Sequence, residues 1–417
     1  MQDFQDSISP DLSPIVVDGN SVGIDADPTV TLQQVAVIES LTTNAGIVLK
    51  PNGTGAIMAQ VPDGTVAGGN ARGQNAVDLQ MSRSNADQVA GYNFDVITGG
   101  RNNKISANLD GYRFIGGGYQ NTISVAGYST INGGRQNSIS GGGSAYCTIS
   151  GGQSNTASTN SHATVVGGKS NTASGAYSVA GGWVNTASGF SSVALGRNCT
   201  ATNDFSVALG GYAKANGLYS ACIGGSFGTG SYATASYSIA LGAYTKSYLY
   251  GQLAHSGNDF DKSYSTGANR GESQISFLNP SRIDTLSSAA TTVLSLDGTG
   301  TTNLIIPDGT NRAWNVTVKW VAVVTSITGT ATGVSVGDTI MQVDTFGFKR
   351  IGGTSSMVGS ANTLSTNNDT SMATAAMGYT AGTSQELKLT FTAPTFTGGG
   401  SVTCRVVAKV ELTEVAY

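Results

Sequence analysis

The sequence contains few charged residues, cysteines, prolines and histidines. Charged residues make up 11% of the 417 residues, and the formal net charge is −4. This composition excludes a general nucleic-acid binder, which needs a strongly basic surface. There are 8 prolines and only 2 histidines. No run approaches the roughly 18 apolar residues of a transmembrane helix, so membrane insertion is not expected.

The four cysteines, Cys147, Cys199, Cys222 and Cys404, show no C-x-x-C spacing. The first six residues, MQDFQD, contain neither the basic nor the apolar region of a secretory signal. We therefore expect production in a cytoplasm without secretion, with the cysteines as reduced, small apolar fillers. No cofactor is expected.

Glycine, in contrast, is abundant and periodic. The chain has 58 glycines, many of which close short blocks of the type Ser-Val-Ala-Leu-Gly. The apolar second positions of the ten blocks lie 14 to 18 residues apart and are Ile97, Ile115, Ile131, Ile149, Val165, Val179, Val193, Val207, Ala221 and Ile239. A unit this short cannot bury its own apolar face, so the units must stack on one another.

A second motif follows the block in six units, where an asparagine stands three residues after the block glycine: Asn103, Asn121, Asn137, Asn155, Asn171 and Asn185. Two motifs per unit predict two short strands per coil. Ten coils at strand spacing make a parallel β-roll about 45–50 Å long. A thin roll leaves a flat apolar wall, which predicts that several chains pack together.

The distribution of turn residues, repeats and alternating apolar residues along the chain predicts an all-β protein with four parts. Residues 1–60 are a turn-rich N-terminal attachment or adaptor segment, and residues 61–90 are a transition. Residues 91–255 form the repeat β-roll shaft. Residues 270–417 carry longer alternating strands and predict an antiparallel β-sandwich, which we assign as the receptor-binding domain.

The stretch from Ser206 to Ser220, SVALGGYAKANGLYS, resembles the head repeats of trimeric autotransporter adhesins. That resemblance implies a homotrimeric left-handed parallel β-roll. The flanking segments 69–80, 250–255, 294–298 and 405–417 look like tail-fibre or virion-spike proteins of tailed phages. This second resemblance implies a virion protein made in the host cytoplasm. Its N-terminal end would bind a tail or baseplate protein, and its distal end would meet a glycan or protein receptor on the host surface.

The leading hypothesis is a phage tail fibre or spike that mediates host attachment and is not an enzyme. Three alternatives stay open: a tailspike depolymerase that cleaves host polysaccharide, a trimeric capsid-surface spike, and a bacterial adhesin head. For the depolymerase, Asp259, Asp261 and Glu272 are the candidate acid–base carboxylates. No catalytic residue is predicted otherwise.

Ligand sites are weakly marked. His255, and less so His162, offers an ion site if three chains converge on an axis. Asp18, Asp25 and Asp27 offer clustered oxygen ligands for calcium without matching the twelve-residue calcium-binding loop.

Receptor binding is assigned to the polar segments 329–337 and 352–382, because loops vary freely on a rigid scaffold. An aromatic residue just before most blocks predicts a structural ladder or a sugar-stacking groove, of which the ladder is favoured. These residues are Tyr112, Tyr128, Tyr146, Tyr177, Phe190, Phe205, Tyr219 and Tyr237.

Overall fold

The computed structural model describes residues 15–18, 21–24, 51, 53–106, 111–124, 127–141, 146–158, 162–225, 230–256, 273–300, 304–305, 311–382 and 386–416. The chain divides into two units, Met1–Asn52 and Gly53–Tyr417. The described part of the first unit is an antiparallel hairpin of β1 (Ile15–Asp18) and β2 (Ser21–Ile24). Everything below concerns the second unit.

The repeat region is a parallel β-roll with two short strands per coil, one in each of two sheets. Each strand pairs in parallel with the strand of the next coil. The strands of the first sheet, which we call the block sheet, are β3 (Ile57–Met58), β4 (Val77–Asp78), β5 (Val96–Ile97), β7 (Phe114–Ile115), β9 (Thr130–Ile131), β11 (Thr148–Ile149), β13 (Thr164–Lys169), β15 (Val179–Trp183), β17 (Val193–Arg197), β19 (Val207–Gly211), β21 (Ala221–Gly224), β23 (Ile239–Gly242) and β25 (Leu253–Ser256). Those of the second, the asparagine sheet, are β6 (Lys104–Ile105), β8 (Thr122–Ile123), β10 (Ser138–Ser140), β12 (Thr156–Ser158), β14 (Thr172–Ala173), β16 (Thr186–Ala187), β18 (Thr200–Ala201), β20 (Lys214–Ala215), β22 (Tyr232–Ala233) and β24 (Lys246–Ser247). The predicted β-roll is confirmed.

The interior of the roll is one residue wide on each sheet and changes along its length. Isoleucine fills the block-sheet column from Ile97 to Ile149 and alanine fills it from Ala180 onward, apart from Cys222. The asparagine sheet changes in the same way, from Ile139 to Ala157. These side chains are fully buried, so the interior volume per coil falls toward the C-terminal end.

The strand register corrects the repeat alignment by one residue. Val165 pairs with Ala180, and Thr164 pairs with Val179. The coil between them therefore has 15 residues in register rather than 14, and Val179 does not continue the buried column of Val165. In each Ser-Val-Ala-Leu-Gly block the alanine faces inward, while the valine and leucine point out of the roll.

The roll begins earlier than the sequence predicts. Strands β3 and β4 pair in parallel with each other and β4 pairs with β5, so the block sheet starts at Ile57, within segments taken as adaptor and transition. The pattern is hidden because Asp78 occupies the buried column, where its carboxylate lies 2.9 Å from Nε of Arg72. A second buried ion pair follows in the next coils, where Oδ1 of Asp95 lies 2.7 Å from Nε of Arg113. Burial raises the pKa of Asp95 to about 6.

Two antiparallel sheets form the C-terminal part. Their elements are β26 (Ser273–Leu278), β27 (Ser281–Leu286), β28 (Thr291–Val293), β29 (Leu304–Ile305), β30 (Arg312–Thr328), β31 (Thr339–Ile351), β32 (Thr354–Asn368), the 3-10 turn η1 (Thr370–Met372), β33 (Ala376–Ala381), β34 (Glu386–Thr392) and β35 (Ser401–Ala416). The larger sheet has β26 and β27 end to end on β35, followed by β30, β31 and β32. In the smaller sheet, β28 and β29 lie on one side of β34 and β33 on the other.

The core between these sheets is made by strict alternation. Along β30 the residues Val316, Val318 and Trp320 are buried, whereas Asn315 and Lys319 are exposed. Strand β34 supplies the facing side chains, and its Phe391 ring lies 6.1 Å from that of Trp320, centroid to centroid. The predicted antiparallel sandwich is confirmed.

The sandwich continues the roll through hydrogen bonds. Strand β25 of the last coil pairs antiparallel with β26. Behind this pairing, the buried carboxylate of Glu414 forms an ion pair with Arg312 and accepts a hydrogen bond from Gln274 at 2.9 Å. The hydroxyl of Tyr248, in the last turn of the roll, lies 3.5 Å from the same carboxylate. No helix within the described ranges is long and apolar enough to cross a membrane.

Candidate functional site

A column of asparagines forms a buried hydrogen-bonded spine along one corner of the roll. Nδ2 of Asn155 donates to Oδ1 of Asn137 at 3.1 Å and to the carbonyls of Gly151 and Gly168 at 3.0 and 2.9 Å. Oδ1 of Asn155 in turn accepts from the backbone N–H of Asn171 at 3.0 Å. The repeat asparagines are therefore structural, and their polar atoms are satisfied within the roll.

The predicted aromatic ladder is confirmed on another corner. Its rings stack at centroid distances of 4.7 to 5.5 Å, from Phe94 to Tyr237. His162 is one rung, between the rings of Tyr146 and Tyr177 at 4.9 Å from each. Where the rings stack face to face, neighbouring rings cover both faces of an inner rung and leave no face for a sugar ring. Phe190 instead meets Tyr177 and Phe205 edge-on, with 69° between the ring planes in both contacts, so sugar stacking at that rung stays a prediction.

The corner between the block sheet and the asparagine sheet carries a second column that the sequence analysis did not single out. We call it the basic column. Its members pair in parallel, each with the next, in the order Arg101, Tyr119, Arg135, Gln153, Lys169, Trp183 and Arg197. The signal is visible in the sequence, since the first five residues each follow a Gly-Gly pair.

Aromatic and cationic members of the basic column contact one another. The guanidinium carbons of Arg101 and Arg135 lie 6.0 and 5.7 Å from the ring centroid of Tyr119. That of Arg197 lies 4.3 Å from the ring centroid of Trp183. Such distances are favourable for cation–π attraction, so ring contacts within the column help to hold Arg101, Arg135 and Arg197 in place.

Two of the predicted ion ligands, Asp18 and His255, lie within the described residues. His255 is exposed on β25, where it pairs with Leu241 on one side and Ile275 on the other. Asp18 ends β1, and Asp25 and Asp27 lie outside the described residues, as do Asp259, Asp261 and Glu272. Within the described parts of the chain, no group of three or more His, Cys, Asp or Glu side chains could hold a metal ion.

The two segments assigned to receptor binding differ in structure. Residues 329–337 form a loop that is tied down, because Thr332 exchanges backbone hydrogen bonds with Thr397 and Val334 is buried. The segment 352–382 is not a loop, which corrects the expectation. It contains β32, η1 and β33, and β32 is exposed in an unbroken run from Val358 to Asn368. Receptor binding by either segment stays a prediction.

A buried carboxylate at the centre of the sandwich is structural. Asp344 accepts hydrogen bonds from Trp320 Nε1 at 3.0 Å, Tyr379 Oη at 2.5 Å, Gln342 Nε2 at 2.7 Å and Thr363 Oγ1 at 2.7 Å. Burial and this carboxylate raise the pKa of the Tyr379 hydroxyl. Four donors use the acceptor capacity of the carboxylate, so this cluster anchors the sandwich and leaves no site for a ligand.

All four cysteines are buried and free, as predicted. Burial raises the pKa of the Cys222 thiol to about 12 and that of Cys404 to about 11. A nucleophilic or metal-binding cysteine needs a lowered pKa and access. These thiols have neither and pack as apolar side chains.

The comparison with protein families finds one likeness. A family model for the YadA head domain repeat matches residues 187–213, 201–220 and 226–245. These stretches lie within the alanine-rich half of the roll, and they support adhesin-head-like β-roll repeats there. No curated protein and no solved structure matches the chain.

Proposed function

We propose that this chain is the subunit of a homotrimeric adhesive fibre, a tail fibre or spike on a phage virion. Its roll is a stiff shaft and its C-terminal sandwich meets the host surface. The observation that carries the proposal is the outward-facing apolar wall of the block sheet in the alanine-rich half of the roll. Val193 and Leu195 flank the inward Ala194 on the solvent side, and Ile223 and Ile239 keep 43% and 38% of their surface exposed.

Water-exposed apolar columns of this length are costly unless something covers them. The wall repeats with the coil, so the surface that matches its period is another copy of itself. Three copies arranged about an axis parallel to the roll bury the wall and close the assembly. The family likeness supports this arrangement, since its residues lie in the same coils.

Adhesion follows from the repeated architecture. A trimer carries three copies of each surface, and multiple weak contacts raise avidity without one strong site. The adhesin-like repeats also favour a structural role over catalysis. In this proposal the N-terminal segment binds a virion tail or baseplate protein, and the distal sandwich binds a surface glycan or protein.

A bacterial adhesin head is the second candidate, and the match to the YadA head domain repeat favours it. The two candidates share the trimer and differ in what the N-terminal segment joins. Labelling the N-terminus and imaging intact virions distinguishes them: label at the virion end of a fibre supports the phage protein, and absence from virions removes it.

The trimer is tested by solution mass. We expect three times the chain mass of 42.2 kDa, and a monomer at micromolar concentration would remove the proposal. A matched variant pair sharpens the test. Leu195→Lys puts a charge in the wall and should dissociate the trimer, whereas Lys319→Gln on the outer face of the sandwich should not.

Release of glycan fragments from host polysaccharide provides the test for a depolymerase. Under the adhesive-fibre proposal no product forms. Measurable release of fragments would overturn that proposal in favour of the depolymerase.

A further inference from the structure

The basic column has an unusual charge distribution. Between residues 111 and 203 the sequence contains no aspartate or glutamate, and its only cations are Arg113, Arg135, Lys169 and Arg197. Arg113 is buried against Asp95. All other formal charge of that stretch therefore lies in one column and is positive.

The spacing of these charges is regular. Arg101, Arg135, Lys169 and Arg197 occupy every second position of the paired column. Adjacent coils are about 4.8 Å apart at strand spacing, so successive cations are about 9.6 Å apart. The column spans six coil steps, about 29 Å, along a straight edge.

The residues between and beside the cations are mainly of the aromatic, amide and hydroxyl types that bind sugars. Tyr119, Gln153 and Trp183 fill the alternate positions, and Trp183 keeps 46% of its surface exposed. The next position along the chain is mainly polar, with Gln120, Gln136, Ser154, Ser170 and Asn198. Aromatic faces pack against the apolar faces of sugar rings, and amide and hydroxyl groups bind sugar hydroxyls.

We propose that the basic column binds a linear acidic polysaccharide that carries one negative charge on every second sugar. The cation spacing is close to the length of one disaccharide unit, so each negative charge of the polysaccharide lies opposite one cation of the basic column. Nucleic acid fits less well, because duplex phosphates follow one another at about 3.4 Å along each strand. The proposal assigns a ligand class to the adhesive function above and rests on it, but places the ligand on the shaft.

The test uses the full assembled chain and hyaluronan oligosaccharides, which are linear and carry one carboxylate per disaccharide. Carboxyl-reduced hyaluronan is the neutral match, and double-stranded DNA is the competing polyanion. We expect binding to the acidic polymer that weakens as salt screens the charges. Little binding is expected to the neutral polymer, and DNA should compete poorly.

Variants locate the site. Arg135→Gln with Lys169→Gln removes two charges and should weaken binding about tenfold or more. The control is Lys319→Gln with Lys409→Gln, which removes two exposed charges that face each other in the larger sheet. It should change affinity less than about twofold. Trp183→Leu keeps the charge and should also weaken binding, because it removes the aromatic platform.

Three results would overturn the proposal. They are equal affinity of the column and control variants at unchanged melting temperature and solution mass, equal binding of the neutral polymer, or tighter binding of DNA. Cell adhesion is measured on the same proteins, so that the two proposals fail separately. Adhesion that survives in the column variant leaves the adhesive function and removes the column as its site. Glycan binding without adhesion to any cell removes the adhesive function instead.

Discussion

The roll and the C-terminal sandwich are both all-β, but they obtain their stability over different ranges of sequence. In the roll each coil bonds to the next, as where Asn185 bonds to Asn171 across 14 residues. In the sandwich β26 bonds to β35, and Gln274 reaches Glu414 across 140 residues. Stability of the roll is therefore close to a sum over neighbouring coils, whereas the sandwich forms as a unit or not at all.

The largest expected effect breaks the sandwich and spares the roll. Phe391→Ala removes a fully buried ring that packs on Trp320, and should destabilise the sandwich by about 3–5 kcal/mol. Regional hydrogen exchange should show faster exchange throughout residues 311–416 and little change in residues 111–200. The control Lys319→Ala is exposed and should stay within about 0.5 kcal/mol. Equal acceleration in both regions would show that they fold as one unit.

The next effect breaks the roll locally. Asn155→Leu has similar size but leaves the Gly151 carbonyl and the Asn171 amide without their side-chain partner. Each buried group left unpaired costs about 1–3 kcal/mol. Hydrogen exchange should accelerate in the two or three coils around the site and decay with distance. Gln136→Leu, at an exposed position between the two sheets in the preceding coil, is the control; a uniform acceleration of the roll would contradict additivity.

A smaller effect separates the ladder from the interior. Tyr128 stacks on Tyr112 at 5.2 Å and on Tyr146 at 5.3 Å while its edge stays exposed. Tyr128→Leu should cost about 0.5–1.5 kcal/mol, measured as a shift in thermal or denaturant unfolding. Phe94→Leu at the start of the ladder loses one stacking partner instead of two and should cost less. The reverse order would mean that stacking contributes little.

The smallest effect is pH-dependent. Burial raises the pKa of Cys222 from its ordinary 9.0 to about 12. The folded state thus holds this proton more tightly than the unfolded chain, so the contribution is constant below about pH 9 and is lost as pH rises toward 12. Each pH unit above 9 should cost about 1 kcal/mol. Comparing unfolding at pH 7 and pH 10 for the native chain and for Cys222→Ala tests this.

Alanine is a fair replacement at that position, since Ala208 and Ala240 are its paired neighbours in the buried column. The alanine variant should lose the part of the alkaline pH dependence that Cys222 contributes, while the part from Cys404 stays. If both proteins weaken equally between the two pH values, another group is responsible.

The roll could be predicted from sequence because one coil repeats the pattern of the last. The block and the asparagine motif each occupy a fixed place in the coil, so the strands and the spine follow from counting. The one-residue error between Val165 and Val179 arose because threonine replaces valine in the earlier blocks at the outward position, as at Thr164. An alignment that follows only the apolar residue of each block therefore passes from the inward-facing Val165 to the outward-facing Val179.

Where the interior is polar, the same counting failed. Asp78 in the buried column gives no apolar period, and its partner Arg72 is six residues away in sequence. In the sandwich, alternation predicted β30, but the assignment of 352–382 as loop failed because most of β32 is exposed and shows no alternation of buried and exposed residues. The repeat pattern did not reveal the basic column, because its members share a position in the coil but are different kinds of residue.

Coil length varies while the bonding between coils does not. Spine asparagines 14, 16 and 18 residues apart make the same side-chain bonds, as between Asn171 and Asn185, Asn121 and Asn137, and Asn137 and Asn155. The described strands stay paired in the same way across coils of all three lengths. Duplication or loss of a single coil therefore changes the reach of the protein by about 4.8 Å without redesigning either end. Reach can evolve independently of attachment and recognition.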